Sequence, residues 1–267
     1  MSSSSNTNTC LCIDSSILLA DIIQNQEART RLGVIDIHQK RLKLESYIPP
    51  TVKMECDNRI ARILSFIGDT FRNFERNFRI LKNNSGTLDD VNLDDLTFVK
   101  EFFAKNFLLH KKPTSEYELL LKLEEMIVTY LAENAEKMSS IPYREFVTSI
   151  GVEINKIATS LRYDFNMKIY ALKIITAGID IALLKSLQSD TILQKTAMKK
   201  PKDLQIICEV EANQREVKKW NVLATLDKND FLNNADHIEK VAKVICADPL
   251  YLPQVLKRLE SMPFLES

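Results

Sequence analysis

The sequence predicts an all-α protein: an irregular multi-helix bundle or helical stack of about eight to ten helices, with a disordered N-terminal arm. Three observations carry that expectation. The chain holds only five glycines in 267 residues, where an average composition would supply roughly nineteen. Glycine furnishes the positive-φ turns of hairpins and the loops that cradle phosphates, so its scarcity disfavours both. Apolar residues recur at alternating steps of four and three, the spacing of one helix face. No run of strict apolar–polar alternation long enough for a half-buried strand stands out.

The elements follow in order. Residues 1–12 are polar at first and read as a disordered arm. Asp14 or Ser15 can cap the free amides of a first helix carrying Ile17, Leu18, Ile22, Ile23 and Leu32, with Gly33 at its C-terminal turn. A second segment runs from Ile35 to about Tyr47 and stops at Pro49-Pro50, since proline lacks the amide donor and clashes with the preceding turn. The clearest stripe comes next: Ile60, Leu64, Ile67, Phe71, Phe74, Phe78 and Leu81, on a helix from about Val52 to Lys82. Its three phenylalanines favour a globular core over a slim coiled coil. Leu96, Val99, Phe103 and Phe107 mark a helix ending before Pro113. Ser115 and Glu118 have capping-box spacing ahead of Leu120, Leu123, Ile127 and Leu131. Pro142 suits the first turn of a helix carrying Tyr143, Val147, Ile150, Ile154, Ile157 and Leu161. The apolar stretch from Phe165 to Leu187 reads as a buried central helix, and Asp203 to Leu226 as a long amphipathic one. Asp236 and Glu239 introduce a helix to Cys246, and a last one begins at Pro253. The polar, acidic stretch 83–95 is the best internal boundary, between an N-terminal region 13–82 and a C-terminal region 96–267, although 13–267 also reads as one continuous domain. No repeat at a fixed period of tens of residues is present.

Composition narrows the setting. Lys and Arg total 36, as do Asp and Glu, so the basic excess of a dedicated nucleic-acid coat is missing. Five cysteines, an odd number and widely spaced, do not make a disulfide framework, and no secretory leader is expected. The expected setting is intracellular, cytoplasm or nucleus. Lys173, Asp180 and Lys185 interrupt the most apolar stretch, which argues against a membrane span.

Catalytic motifs are absent. There is no Gly-x-Ser-x-Gly elbow, no phosphate-binding glycine loop and no His-Glu-x-x-His zinc pattern. No catalytic, cofactor or metal residue is therefore expected, and no enzyme. Asp90, Asn92, Asp94 and Glu101 fall at calcium-loop positions, but Asp95 stands where that loop needs glycine, and helix capping explains these acids. Cys10 and Cys12 form a lone pair without further zinc ligands at set spacing.

The positive hints are to partners. Trp220 stands beside Arg215 and Lys219 on a charged helix, and aromatic residues beside arginine often anchor interfaces. Tyr251, Phe264 and Leu265 make the C-terminal segment apolar. These six residues are the candidate protein-binding set, and the leading expectation is a scaffold or interaction subunit of a larger intracellular complex, its partners being one or more proteins. Self-association is left open by the stripes. The alternative is a nucleic-acid-associated helical protein using Arg72, Arg76 and Arg79 on one helix face and Lys199, Lys200 and Lys202 at a turn.

Overall fold

A computed structural model describes residues 8–23, 26–85, 91–108, 115–138, 141–196, 198 and 200–264. It overturns the all-α expectation. Five parallel strands form one sheet in the order β3-β2-β1-β4-β5. They are β1 (Thr9–Ile13), β2 (Ser46–Ile48), β3 (Lys173–Ile174), β4 (Trp220–Ala224) and β5 (Ile245–Ala247). The helices are α1 (Ser15–Ile23), α2 (Gln26–Leu42), α3 (Pro50–Ser85), α4 (Leu93–Leu108), α5 (Ser115–Glu133), α6 (Ala135–Met138), α7 (Tyr143–Tyr170), α8 (Ile181–Ser189), α9 (Pro201–Val217), α10 (Ala235–Ala242) and α11 (Leu252–Glu260).

The strands escaped notice for a physical reason. A parallel sheet covered on both faces is written as short apolar runs rather than as alternation. Strand β1, Thr-Cys-Leu-Cys-Ile, is buried at every position, and so is β4. The supposed arm therefore contains the central strand: Thr9 to Ile13 pair with Trp220 to Ala224 in register. Residues 1–7 lie outside the described residues. The long helix expected over 203–226 ends at Val217, and Trp220 opens β4. The buried helix expected over 165–187 is instead the end of α7, the edge strand β3 and, after an irregular stretch, α8. Gly33 lies inside α2.

The glycine argument fails in an instructive way. Three of the turns that lead from a helix into a strand need a left-handed residue, and lysine fills each one. Lys43 follows α2, Lys218 caps α9 and Lys243 caps α10, with φ of 50°, 52° and 58°. A left-handed non-glycine residue costs about 1–2 kcal/mol, which a well-packed sheet can absorb.

The chain divides into two compact units: residues up to Asp57 with Asn166 onward, and Asn58–Phe165. The first unit holds the sheet. With right-handed crossovers, the rule for parallel strands, this strand order puts α1 and α2 on one face and α8, α9 and α10 on the other. Packing of α2 on α11, and of α9 on α8 and α10, agrees with that arrangement. The second unit is wholly helical among its described residues, and the boundary expected at 83–95 falls inside it. Its core is aromatic. Phe74 and Phe78 of α3 stack at 5.4 Å, and Phe78 meets Phe146 and Tyr143 of α7 at the same separation. The stripe thus faces a core at Ile60, Ile67, Phe74 and Phe78, while Leu81 is exposed. Lys82 is fully buried and donates to Asp95 at 2.9 Å, and Asp95 also accepts from the Asn92 amide. Asn92 is the helix cap, accepting the Asp95 amide at 2.9 Å, and Asp95 is the reciprocal partner of that capping box and the ion-pair partner of Lys82; Asp90 lies outside the described residues.

Candidate acidic crevice at the carboxyl ends of the strands

Strand order decides where a site can form. The chain travels outward from β1 through β2 to β3, then returns to build β4 and β5 on the other side of β1. The connections leaving β1 and β4 therefore diverge to opposite faces. Such a switch point opens a crevice at the carboxyl ends of the strands, where ligands of open α/β sheets bind.

Besides Glu209 and Asp248, five acids stand at this end of the sheet. Asp14 directly follows β1 and is buried; its amide donates to the Ala224 carbonyl at 3.1 Å. Its Oδ2 accepts from Ser16 Oγ at 2.6 Å and from Thr225 Oγ1 at 2.8 Å, which ties the ends of β1 and β4 together. Glu55 lies in the second turn of α3, just past β2, and accepts from Ser15 Oγ at 3.1 Å. The first turn of α3 is anchored by Glu209 of α9, whose buried carboxylate takes the Thr51 amide at 3.0 Å and the Thr51 hydroxyl at 2.6 Å. An anion at a helix N-terminus is a favourable pairing. Asp203 sits in the first turn of α9. Asp227 and Asp230 belong to the turn after β4. Asp227 Oδ1 accepts the amides of Asn229 and Asp230 at 3.0 and 2.9 Å and so shapes that turn.

The electrostatics are strained. Lys200 Nζ lies 2.8 Å from Asp230 Oδ2 and 3.9 Å from Asp203 Oδ2. Yet Asp203 Oδ2 and Asp230 Oδ1 are buried with no hydrogen-bond partner. Desolvation, with the charge of Asp230 next, pushes the Asp203 carboxyl up to about 7. Burial also raises Asp14, against the hydroxyl bonds from Ser16 and Thr225 that favour its charged form. As they stand, no three acidic, histidine or cysteine groups among the described residues converge closely enough to hold a metal ion. Burial pushes the Cys10 thiol up to about 11 and that of Cys208 up to about 12.

The residues singled out from sequence fall elsewhere, with one exception. Trp220 is buried in β4, and its ring meets Phe264 edge-on at 5.6 Å. It is not displayed on a helix surface, because the polar residues around it belong to the turn before the strand. Arg215 is paired with Glu211 at 2.6 Å and Lys219 with Glu45 at 3.0 Å. Tyr251 is exposed, near the end of β5. Arg72, Arg76 and Arg79 are exposed on α3 in the second unit, with Arg72 paired to Asp69. Lys202 is exposed on α9. Leu265 and Lys199 lie outside the described residues. The exception is Lys200, which reaches into the acidic crevice. Cys10 and Cys12, expected near a mobile terminus, are buried on the central strand.

By sequence alone Asp14 and Asp203 look like helix starts, and Glu55, Asp227 and Asp230 fall in no recognisable motif. A usable signal was present. Leu-Cys-Ile-Asp-Ser-Ser and Val-Leu-Ala-Thr-Leu-Asp both run from an apolar stretch into an acid and a hydroxyl, the signature of a buried strand delivering polar groups at its carboxyl end. No family model, no curated protein and no solved structure matches this chain.

Proposed function

We propose that the first unit is a divalent-cation-dependent phosphodiester hydrolase acting on nucleic-acid strands. The observation that carries this reading is the pair of orphan oxygens, Asp203 Oδ2 and Asp230 Oδ1, buried among five acids at the switch point. Buried acceptors without a donor are costly. An ammonium answers one oxygen of Asp230 at hydrogen-bond distance and leaves Asp203 Oδ2 and Asp230 Oδ1 without a donor. A hard cation such as Mg²⁺ or Mn²⁺ takes several oxygen ligands at once. Carboxylates carried by separate segments at one sheet end are the donor type such a cation takes, but they would have to draw closer than they stand, with Lys200 displaced from Asp230. A bound cation would supply a hydroxide near neutral pH and offset the charge that builds on a phosphoryl group.

The segments that carry the acids also carry cations. Lys200 and Lys202 both precede Asp203, and Lys228 lies between Asp227 and Asp230. Lysines beside a carboxylate cluster suit a substrate that bears phosphate. Asp14, held by Ser16 and Thr225, and Glu55, held by Ser15 and indirectly by Glu209, supply fixed acceptors. The five cysteines are all free thiols, which suits the reducing interior of a cell, cytoplasm or nucleus.

The test is cleavage of end-labelled single-stranded RNA and DNA with Mg²⁺, Mn²⁺ or chelator. Asp203→Asn is expected to lower the rate by roughly a hundredfold or more and to weaken Mn²⁺ binding in calorimetry. Unchanged cleavage in that variant, or cleavage insensitive to chelator, would refute the reading.

The scaffold-subunit reading keeps one observation of its own. Met167, Tyr170, Ile174 and Ile181 are exposed on and around the edge strand β3, and an uncovered sheet edge invites a partner. Light scattering of the purified chain, with and without Ile174→Lys, tests for self-association through that edge.

A further inference from the structure

A second concavity adjoins the crevice. It is an open cleft of about 410 Å³ at the carboxyl end of β5, with an apolar floor that includes Leu232, Cys246 and Val255. That volume lies in the range of small-molecule sites, about 300–1,000 Å³. Its rim is built rather than incidental. Arg31 Nε donates to both oxygens of Asp248 at 3.2 and 3.3 Å. Asp248 also accepts the Leu250 amide at 2.9 Å and so fixes the turn that carries Tyr251. The Tyr251 ring is 63% exposed on a lining wall of the cleft. Lys228 is exposed on the same rim.

The cleft and the crevice are neighbours by construction. Ala224 of β4 and Ala247 of β5 are directly paired, and the Thr225 amide donates to the Ala247 carbonyl at 3.0 Å. Adjacent strands lie about 5 Å apart. Lys228 follows Asp227 in the turn that bounds both. A ligand held at the acids by one phosphate would therefore carry its next unit over this rim.

Resting on the hydrolase reading, we infer that the cleft is a nucleotide subsite: it takes one unpaired base of the substrate strand, adjacent to the phosphate held at the acids. The base stacks on Tyr251 above the apolar floor, and Lys228 meets the adjoining phosphate. Stacking on an aromatic side chain accepts any base and needs it out of a duplex. The subsite thus selects single strands, and by its stacking mode it selects little sequence.

The full chain carrying Asp203→Asn, so that nothing is cleaved, is titrated in chelator with adenosine 5′-monophosphate and, separately, with a short fluorescein-labelled single-stranded oligonucleotide. Both should bind. Adding Tyr251→Ala should weaken both by about tenfold or more, while Tyr251→Phe, which keeps the ring, should restore them; circular dichroism confirms that each variant is folded. Inorganic phosphate alone should not displace the mononucleotide. The subsite is overturned if Tyr251→Ala leaves oligonucleotide binding unchanged. It is overturned as well if the mononucleotide binds but the oligonucleotide does not, because the cleft would then serve a free nucleotide. If the wild-type chain cleaves nothing while Tyr251-dependent oligonucleotide binding persists, the hydrolase reading fails and the subsite stands.

Discussion

Replacing Asp203 with asparagine should make the protein more stable, and more so at high pH. The carboxyl of Asp203 is 15% exposed and is pushed from an ordinary 3.8 up to about 7 by desolvation and the neighbouring Asp230. Below about pH 4 the folded and unfolded chains both keep this proton. Between there and about 7 the unfolded chain releases it while the folded chain holds it, so stability falls as pH rises; the full penalty stands above about 7. Three pKa units correspond to about 4 kcal/mol at most, and residual solvent contact brings the expected gain for Asp203→Asn to roughly 2–4 kcal/mol at pH 8. Chains of this size shift by about 2–4 °C per kcal/mol, so the melting temperature should rise by roughly 10 °C. At pH 5 the gain should be less than half as large. The assay is thermal melting followed by circular dichroism, in chelator, at pH 5, 6, 7 and 8. A variant no more stable than wild type at pH 8, or a gain independent of pH, would refute the account of a carboxylate held at a cost in the crevice. The same variant should lose cleavage, which is the stability–function trade expected of a working site.

Three further outcomes test the architecture. Lys82→Met leaves Asp95 buried without the Lys82 ammonium and should cost about 3–5 kcal/mol, of which the double variant with Asp95→Asn should recover more than half; urea unfolding reads both. Gly151→Ala puts a methyl group 2.8 Å from Phe71 Cζ and should lose about 1 kcal/mol despite alanine's better helix propensity, again by urea titration. Lys218→Gly and Lys243→Gly relieve left-handed backbone at φ of 52° and 58° and should each gain roughly 0.5–1 kcal/mol; a loss at either position would show that its lysine side chain does more than fill the turn.

Local periodicity made part of this molecule legible. The stripe on α3 and the helix opening at Ser115 are seen where spacing placed them, because a helix writes its buried face within a dozen residues; the helix at Asp236 is seen too, but it ends at Ala242, and Cys246 belongs to β5. The sheet was hidden because its information is not local. Strand β1 is five residues long and has no exposed face, and β3 has only two residues. Lysines in the left-handed turns removed the glycine marker that would have announced the strands. The site was hidden for the same reason. Asp14 and Thr225 are hydrogen-bonded yet 211 residues apart, and each alone reads as an ordinary helix cap or loop residue. Lys200 was noticed as part of a basic cluster; nothing nearby in sequence reveals that it faces Asp230.

The position of the central strand has a consequence for biogenesis. β1 is made first, but its partner β4 is more than 200 residues downstream. At about 5–20 residues per second, synthesis leaves Thr9–Ile13 without that neighbour for roughly 10–40 s. During that interval an oily segment with open backbone groups is available to other nascent chains. Meanwhile the second unit, whose contacts are local in sequence, can finish folding. The middle of the sheet therefore closes late, and a cell short of holding chaperones should lose this protein to aggregation sooner than its final stability would suggest.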